Sequence, residues 1–125
     1  MSVRNKKQFG VWMDSHNATI IGKAGDDATE FVIVAHAENA GPRGNSNENA
    51  ANNAAKTMQQ KYFREITSHM QNADELHVTG TGDAQEQFIN YLAETPQFKN
   101  TITNESTSNK MSEGKLVEFI TTKFS

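Results

Sequence analysis

Cysteine is absent from the chain. That excludes a disulfide framework and a thiolate zinc site, and it is compatible with a reducing compartment. No apolar run approaches the length needed to span a bilayer, so no membrane partner is expected. The opening segment "MSVRNKKQFG" is basic but lacks the apolar stretch of a signal peptide, and a cytoplasmic location is the expectation. A strong positive charge is also missing. The formal net charge is −3, whereas a generic nucleic-acid binder is usually strongly basic. The four histidines, His16, His36, His69 and His77, show no metal-ligand spacing. Each reads as a structural or surface residue, and no metal or cofactor is expected. No Gly-x-Ser-x-Gly elbow is present, which disfavours a covalent hydrolase.

What is there suits a small soluble protein. At 125 residues, one domain over 1–125 is the natural count. The apolar share is 35% and the charged share 22%, as in ordinary globular chains. The distribution of charge is uneven. Arg43, Lys56, Lys61 and Arg64 fall close together, with Glu48 and Glu65 the only acids nearby. The middle of the chain is therefore locally basic, although ordinary mixing of surface charge explains the same pattern.

Along the chain, "QFGVWMD" alternates Phe9, Val11 and Met13 against Gly10, Trp12 and Asp14, the period-two pattern of a strand. Asp14 to Asn17 carries turn chemistry, and "ATIIGKA" reads as the returning strand of a hairpin. After a "GDDA" turn, residues 29–38 supply a third strand rich in β-branched and aromatic side chains. A polar, Asn-rich loop follows at about 38–49 and is expected to be flexible. A helix is predicted from Asn49 or Ala50 to near Asn72, because Met58, Tyr62, Phe63, Ile66 and Met70 recur at steps of three and four. Lys56, Gln60 and Arg64 line its opposite face. "ELHVTG" is a short strand. A second helical stretch begins with Gly82 and Asp83, with Asp83 and Glu86 resembling a capping box, and Pro96 ends it. A weak strand is predicted around Thr101 to Thr103. Ser112 then caps a last helix whose core face is Leu116, Phe119, Ile120 and Phe124. The order β-β-β-α-β-α-β-α predicts an α/β fold with a mixed sheet of about five strands, its later strands pairing in parallel.

This order is similar to that of RNase H-like folds and of the translational machinery component group, which includes the central domain of archaeal and eukaryotic release factors and Pelota. Two stretches carry a closer likeness. "FGVWMDSHNATIIG" resembles the opening hairpin of small bacterial relatives of those factors. "ADELHVTGTGDAQEQFINYL" resembles the strand, Gly-x-Gly turn and helix that follow the long helix there, and "KMSEGKLVEFITTKF" fits their closing segment. In release factors, the segment between the meander and the long helix carries a Gly-Gly-Gln tip that reaches the peptidyl transferase centre. Here the corresponding stretch is "GPRGNSNEN", with Gly41, Gly44 and Asn45, and Gly-Gly-Gln is missing. The resemblance thus implies a non-catalytic protein that associates with the ribosome or structured RNA, in translation stress, ribosome rescue or hibernation, and does not imply peptidyl-tRNA hydrolysis. Arg43, Lys56, Lys61 and Arg64 would contact phosphates, which supplies affinity and position but not sequence choice.

Two alternatives stand beside this one. RNase H-like nucleases place carboxylates on the first strand, the first helix and near the fourth strand, where they hold two divalent cations across the scissile phosphate. Asp14, Glu65 and Asp83 occupy comparable positions. On the plainer reading each is structural, serving a turn, a solvated helix surface and a helix start respectively. The other alternative is a self-associating scaffold, a homodimer formed through an exposed edge of the third strand. The Gly80–Asp83 turn, "GTGD", reads mainly as a tight strand-to-helix connection rather than a phosphate cradle. Trp12, Tyr62 and Tyr91 offer rings for base stacking, but their spacing places them in or near the core.

Overall fold

The computed structural model describes residues 7–23, 30–39 and 48–124, with residues 48–56 described for the backbone alone. Its elements follow the predicted order: β1 Gln8–Met13, β2 Asn17–Lys23, β3 Phe31–Glu38, α1 Glu48–Ser68, β4 Glu75–Gly80, α2 Asp83–Ala93, β5 Ile102–Thr107 and α3 Glu113–Phe124. A single 3-10 turn, Pro96–Phe98, lies between α2 and β5.

The five strands form one mixed sheet in the order β3-β2-β1-β4-β5. β1 pairs antiparallel with β2, and β2 with β3. On its other side β1 runs parallel to β4, from Gln8 opposite Glu75 to Met13 opposite Gly80, and β4 runs parallel to β5. The first strand is therefore central, with the meander on one flank and the crossover strands on the other.

Alternation along β1 sends neighbouring side chains to opposite faces, and the sheet is covered on both. Val11, Met13, Ile20, Leu76 and Val78 pack against Tyr62, Phe63 and Ile66 of α1 and Phe88 and Leu92 of α2. Trp12, Ile21 and Phe31 pack on the other face with Leu116 and Ile120 of α3. The last helix approaches so closely that a Cβ on Gly10 would overlap the Ile120 side chain. Glycine is what that close approach requires.

Four details depart from the sequence reading. The helix α1 stops at Ser68 rather than near Asn72. Asn72 adopts a left-handed backbone, φ 61°, which an asparagine tolerates and a helix does not continue through. The cap of α2 also sits one residue earlier than expected. Gly82 is the N-cap at φ 136°, and Asp83 is already helical. The side chain that reaches back is Gln85, whose Oε1 accepts from the Gly82 N–H at 3.1 Å, instead of Glu86. Finally, β5 extends to six residues and begins later than the predicted strand. Its sequence "ITNEST" has little apolar alternation because most of its side chains face solvent. Backbone pairing with β4 holds it in place, where intrinsic propensity would not.

Candidate functional site

The carboxyl ends of the parallel strands β1 and β4 meet at one rim of the sheet, since Met13 lies opposite Gly80. Asp14 follows β1 there, and Asp83 opens α2 just beyond β4. In open α/β sheets such a rim is where ligands usually bind. The Asp14 carboxylate is already engaged, however. Its Oδ1 accepts from the backbone N–H of His16 at 2.8 Å and of Asn17 at 2.7 Å, closing the β1–β2 turn. The Asp14 carbonyl accepts the Tyr62 hydroxyl at 2.9 Å, which ties the turn to α1. Burial, reinforced by the Asp14 charge, raises the Tyr62 phenol well above its ordinary range.

Glu65 and Asp83 are both exposed. Among the described residues, no group of three or more His, Cys, Asp or Glu side chains is placed to hold a metal ion. Glu65 lines a different cleft, on the β2–β3 side of the molecule.

The cationic residues fare unequally. Lys61 and Arg64 are exposed on α1, three residues apart and hence neighbours on one helix surface. Lys56 belongs to the same helix by its backbone, and its side chain lies outside what is described. Arg43, Gly41, Gly44 and Asn45, with most of the Asn-rich loop, also lie outside the described residues. Glu65 comes four residues after Lys61, so the exposed strip is mixed in sign rather than uniformly basic.

Two further constellations were not singled out by the sequence. One is a chain of polar side chains on β4 and β5. His77 Nε2 lies 2.8 Å from Ser106 Oγ, Ser106 donates to Thr79 Oγ1 at 2.9 Å, and Thr79 is 2.7 Å from Ser108 Oγ. His77 and Thr79 are buried, and the Phe119 ring of α3 meets the imidazole edge-on at 5.9 Å. Burial, and secondarily the nearby Lys123 ammonium, lowers the His77 pKa below its usual value. The imidazole therefore stays neutral near pH 7. Alternation in "ELHVTG" signalled a strand but not which face its polar residues would share with "TNESTS".

The other is a cavity of about 420 Å³ between the ends of β2 and β3 and the start of α3. Trp12, Thr19, His36, Glu38, Glu65 and Lys110 are among the residues that line it. At its edge His36 Nε2 meets Glu113 Oε1 at 2.7 Å, joining β3 to α3. Trp12 is buried, as the sequence pattern implied, and so is Tyr62, while Tyr91 is half-buried.

Neither a family model nor a curated protein matches the chain. Solved structures do, and what they share with this chain is its α/β fold. The Pelota protein of Thermoplasma acidophilum superposes with a TM-score of 0.60 at 20% identity, over 93% of this chain and 32% of that one. The archaeal translation termination factor aRF1 follows at 0.56 and 16%, over 94% of this chain and 34% of the factor. Pelota of Archaeoglobus fulgidus gives 0.54 and 14%, over 96% and 35%. The chain thus spans about a third of the length of each of these proteins. At such identities the likeness establishes a shared fold.

Proposed function

We propose that this chain is a non-catalytic, release-factor-type domain that associates with the ribosome or with structured RNA through the outward surface of α1. The observation that carries the reading is the superposition of nearly the whole chain on one segment of Pelota and of aRF1, a translation termination factor. The exposed pair Lys61 and Arg64 supports it, since exposed cations that share a helix surface are the groups that contact phosphates. Lys56 on the same helix, and Arg43 shortly before it in sequence, would extend the contact. The chain has no Gly-Gly-Gln, so a role in ribosome rescue or hibernation, in the cytoplasm, fits better than peptide release.

The acids near Lys61 and the overall charge of −3 keep such binding weak and strongly dependent on salt. Ribosome co-sedimentation at low and high salt is the test. Wild-type protein should pellet with ribosomes at low salt and be released at high salt, and the K61E/R64E variant should fail to pellet. Absence of association by the wild type, or unchanged association by the variant, overturns the proposal.

A further inference from the structure

One margin of the sheet is open. β5 pairs with β4, and among the described residues no strand lies on its other side. The Ile102 N–H donates to the Asp74 carbonyl at 3.0 Å, and the Ser108 N–H to the Gly80 carbonyl at 2.7 Å. Backbone groups of successive strand residues point to opposite sides. Residues 102, 104 and 106 therefore turn theirs toward β4, and Thr103, Glu105 and Thr107 turn theirs outward. Glu105 and Thr107 are exposed, and Thr103 is half-buried. Of the usual guards of an edge, β5 has neither proline nor lysine, and its register with β4 is unbroken from Ile102 to Thr107. The opposite margin differs: along β3 the pairing register shifts between Ile20 and Ile21, the kind of bulge that interrupts an edge.

Apolar groups flank the start of this open edge on both faces. Ile102 is 56% exposed, the highest value among the exposed large apolar side chains described. On the other face, Thr103 lies opposite Leu76, which packs in the core with Phe88 and Leu92 of α2. There a groove of about 350 Å³ opens between α2 and β5, lined by Ile89, Leu92, Phe98, Lys99 and Thr103 among others. Directly opposed residues of paired strands share a face. A residue set against Thr103 by an added strand thus points over this groove, where an aliphatic side chain is matched to the lining. Lys99 is exposed at the same place and is paired with no described carboxylate. We infer that the β5 edge is a docking site for an extended peptide segment that adds antiparallel to it, with an aliphatic side chain in the groove and an acidic one, two residues further on, at Lys99. In this mode main-chain hydrogen bonds supply affinity and the groove supplies the choice of side chain. A second copy is a poor occupant, because the two-fold pairing that engages all three outward residues sets Glu105 against Glu105. The chain's own opening segment, "MSVRNKK", is basic and brings like charge to Lys99. The inference is independent of ribosome binding, because it uses neither Lys61 nor Arg64.

The probe is a fluorescein-labelled peptide of threonine, threonine, lysine, threonine, leucine, valine and glutamate in that order. Added antiparallel, its lysine falls against Glu105, its leucine over the groove, its valine against Ile102 and its glutamate beside Lys99. Fluorescence anisotropy with the full chain should show saturable binding at up to millimolar concentrations. Aspartate in place of the leucine should weaken binding by about tenfold or more, the worth of one buried aliphatic side chain. Glu105→Pro removes an outward N–H and keeps the bonds to β4, so it should abolish binding with the circular dichroism unchanged. Lys99→Glu changes an exposed side chain and should weaken binding, and a peptide with lysine in place of its glutamate should recover it. K61E/R64E should bind the peptide as wild type does, which separates this inference from ribosome association. No saturable response overturns the inference. So does equal binding of the aspartate peptide, or undiminished binding by Lys99→Glu, and these two decide the matter even where Glu105→Pro fails to fold. A chain that sediments as a dimer and becomes monomeric on Glu105→Pro assigns the edge to a second copy, and overturns it as well.

Discussion

The Tyr62 hydroxyl donates a 2.9 Å hydrogen bond to the carbonyl of Asp14, joining the middle of α1 to the turn that follows the central strand. The two residues are 48 positions apart in sequence. Replacing Tyr62 by Phe keeps the ring and leaves the Asp14 carbonyl short of a partner. The variant should fold normally and lose about 1 kcal/mol, read by urea denaturation.

The same phenol gives a test at high pH. Its folded-state pKa is raised by burial and by the Asp14 charge. An unfolded chain ionises its tyrosines near pH 10, whereas folded Tyr62 retains its proton. The stabilisation is present in full below that pH and is lost as pH rises above it. The chain contains two tyrosines, Tyr62 and Tyr91. An ultraviolet titration should show one of them ionising only as the protein unfolds, and Tyr62→Phe should abolish that late step.

At the acid end, His77 is the group to follow. Its folded-state pKa is lowered, chiefly by burial and then by Lys123. The unfolded state therefore takes up a proton near pH 6.5 that the folded state resists. Stability contributed by neutral His77 is present above that pH and declines as pH falls below it. Denaturation midpoints measured from pH 8 to pH 5 should fall. His77→Gln should flatten this portion of the curve, and an unchanged slope in that variant would assign the effect to other groups.

Gln85 offers a sharper stability test. It is 1% exposed, and its amide joins the Gly82 N–H, the Ser106 carbonyl and the Thr107 hydroxyl. Gln85→Leu should cost about 2–3 kcal/mol, because partners on both the α2 turn and β5 are stranded. Chemical denaturation reads the loss. Hydrogen exchange should show the excess opening concentrated in β5, which has a pairing strand on one side only.

Asp14 separates a structural role from a catalytic one. The turn bonds to His16 and Asn17 require its Oδ1, so Asp14→Ala should destabilise the protein by about 1–3 kcal/mol. Asp14→Asn retains an acceptor and should lose less. If the chain were a nuclease built on Asp14 and Asp83, structured RNA with Mg²⁺ or Mn²⁺ would be cleaved by the wild type and spared by Asp14→Asn. The expected result is no cleavage by either.

The order of elements was legible in the sequence because it depends on local periodicity. Val11 and Met13 alternating with Gly10 and Trp12 announced β1, and Tyr62, Phe63, Ile66 and Met70 announced the buried stripe of α1. Ser112 was recognisable as a cap, and its Oγ does accept from Lys115 N–H at 3.4 Å. Positions governed by partners distant in sequence were not legible. The cap at Gly82 was misplaced by one residue because Gln85 is fixed from β5, through Ser106 and Thr107. The strand β5 was underestimated because a mostly exposed strand of Thr, Asn, Glu and Ser owes its shape to the neighbour it pairs with.

Candidate sites divide along the same line. The sequence alone could nominate Lys61 and Arg64, since helical spacing determines which residues share a surface. It could not tell that the carboxylate of Asp14 would be consumed by its own turn, or that Glu65 would open onto a cleft with Trp12, Glu38 and Lys110. It likewise gave no sign that His77 would share a polar row with Ser106, Thr79 and Ser108. Periodicity along a chain is set by the geometry of one helix or strand. The meeting of β1, β3, α1 and the approach to α3 around one buried indole is set by how the sheet orders its strands and how the helices cover it, and that is decided only when the whole chain packs.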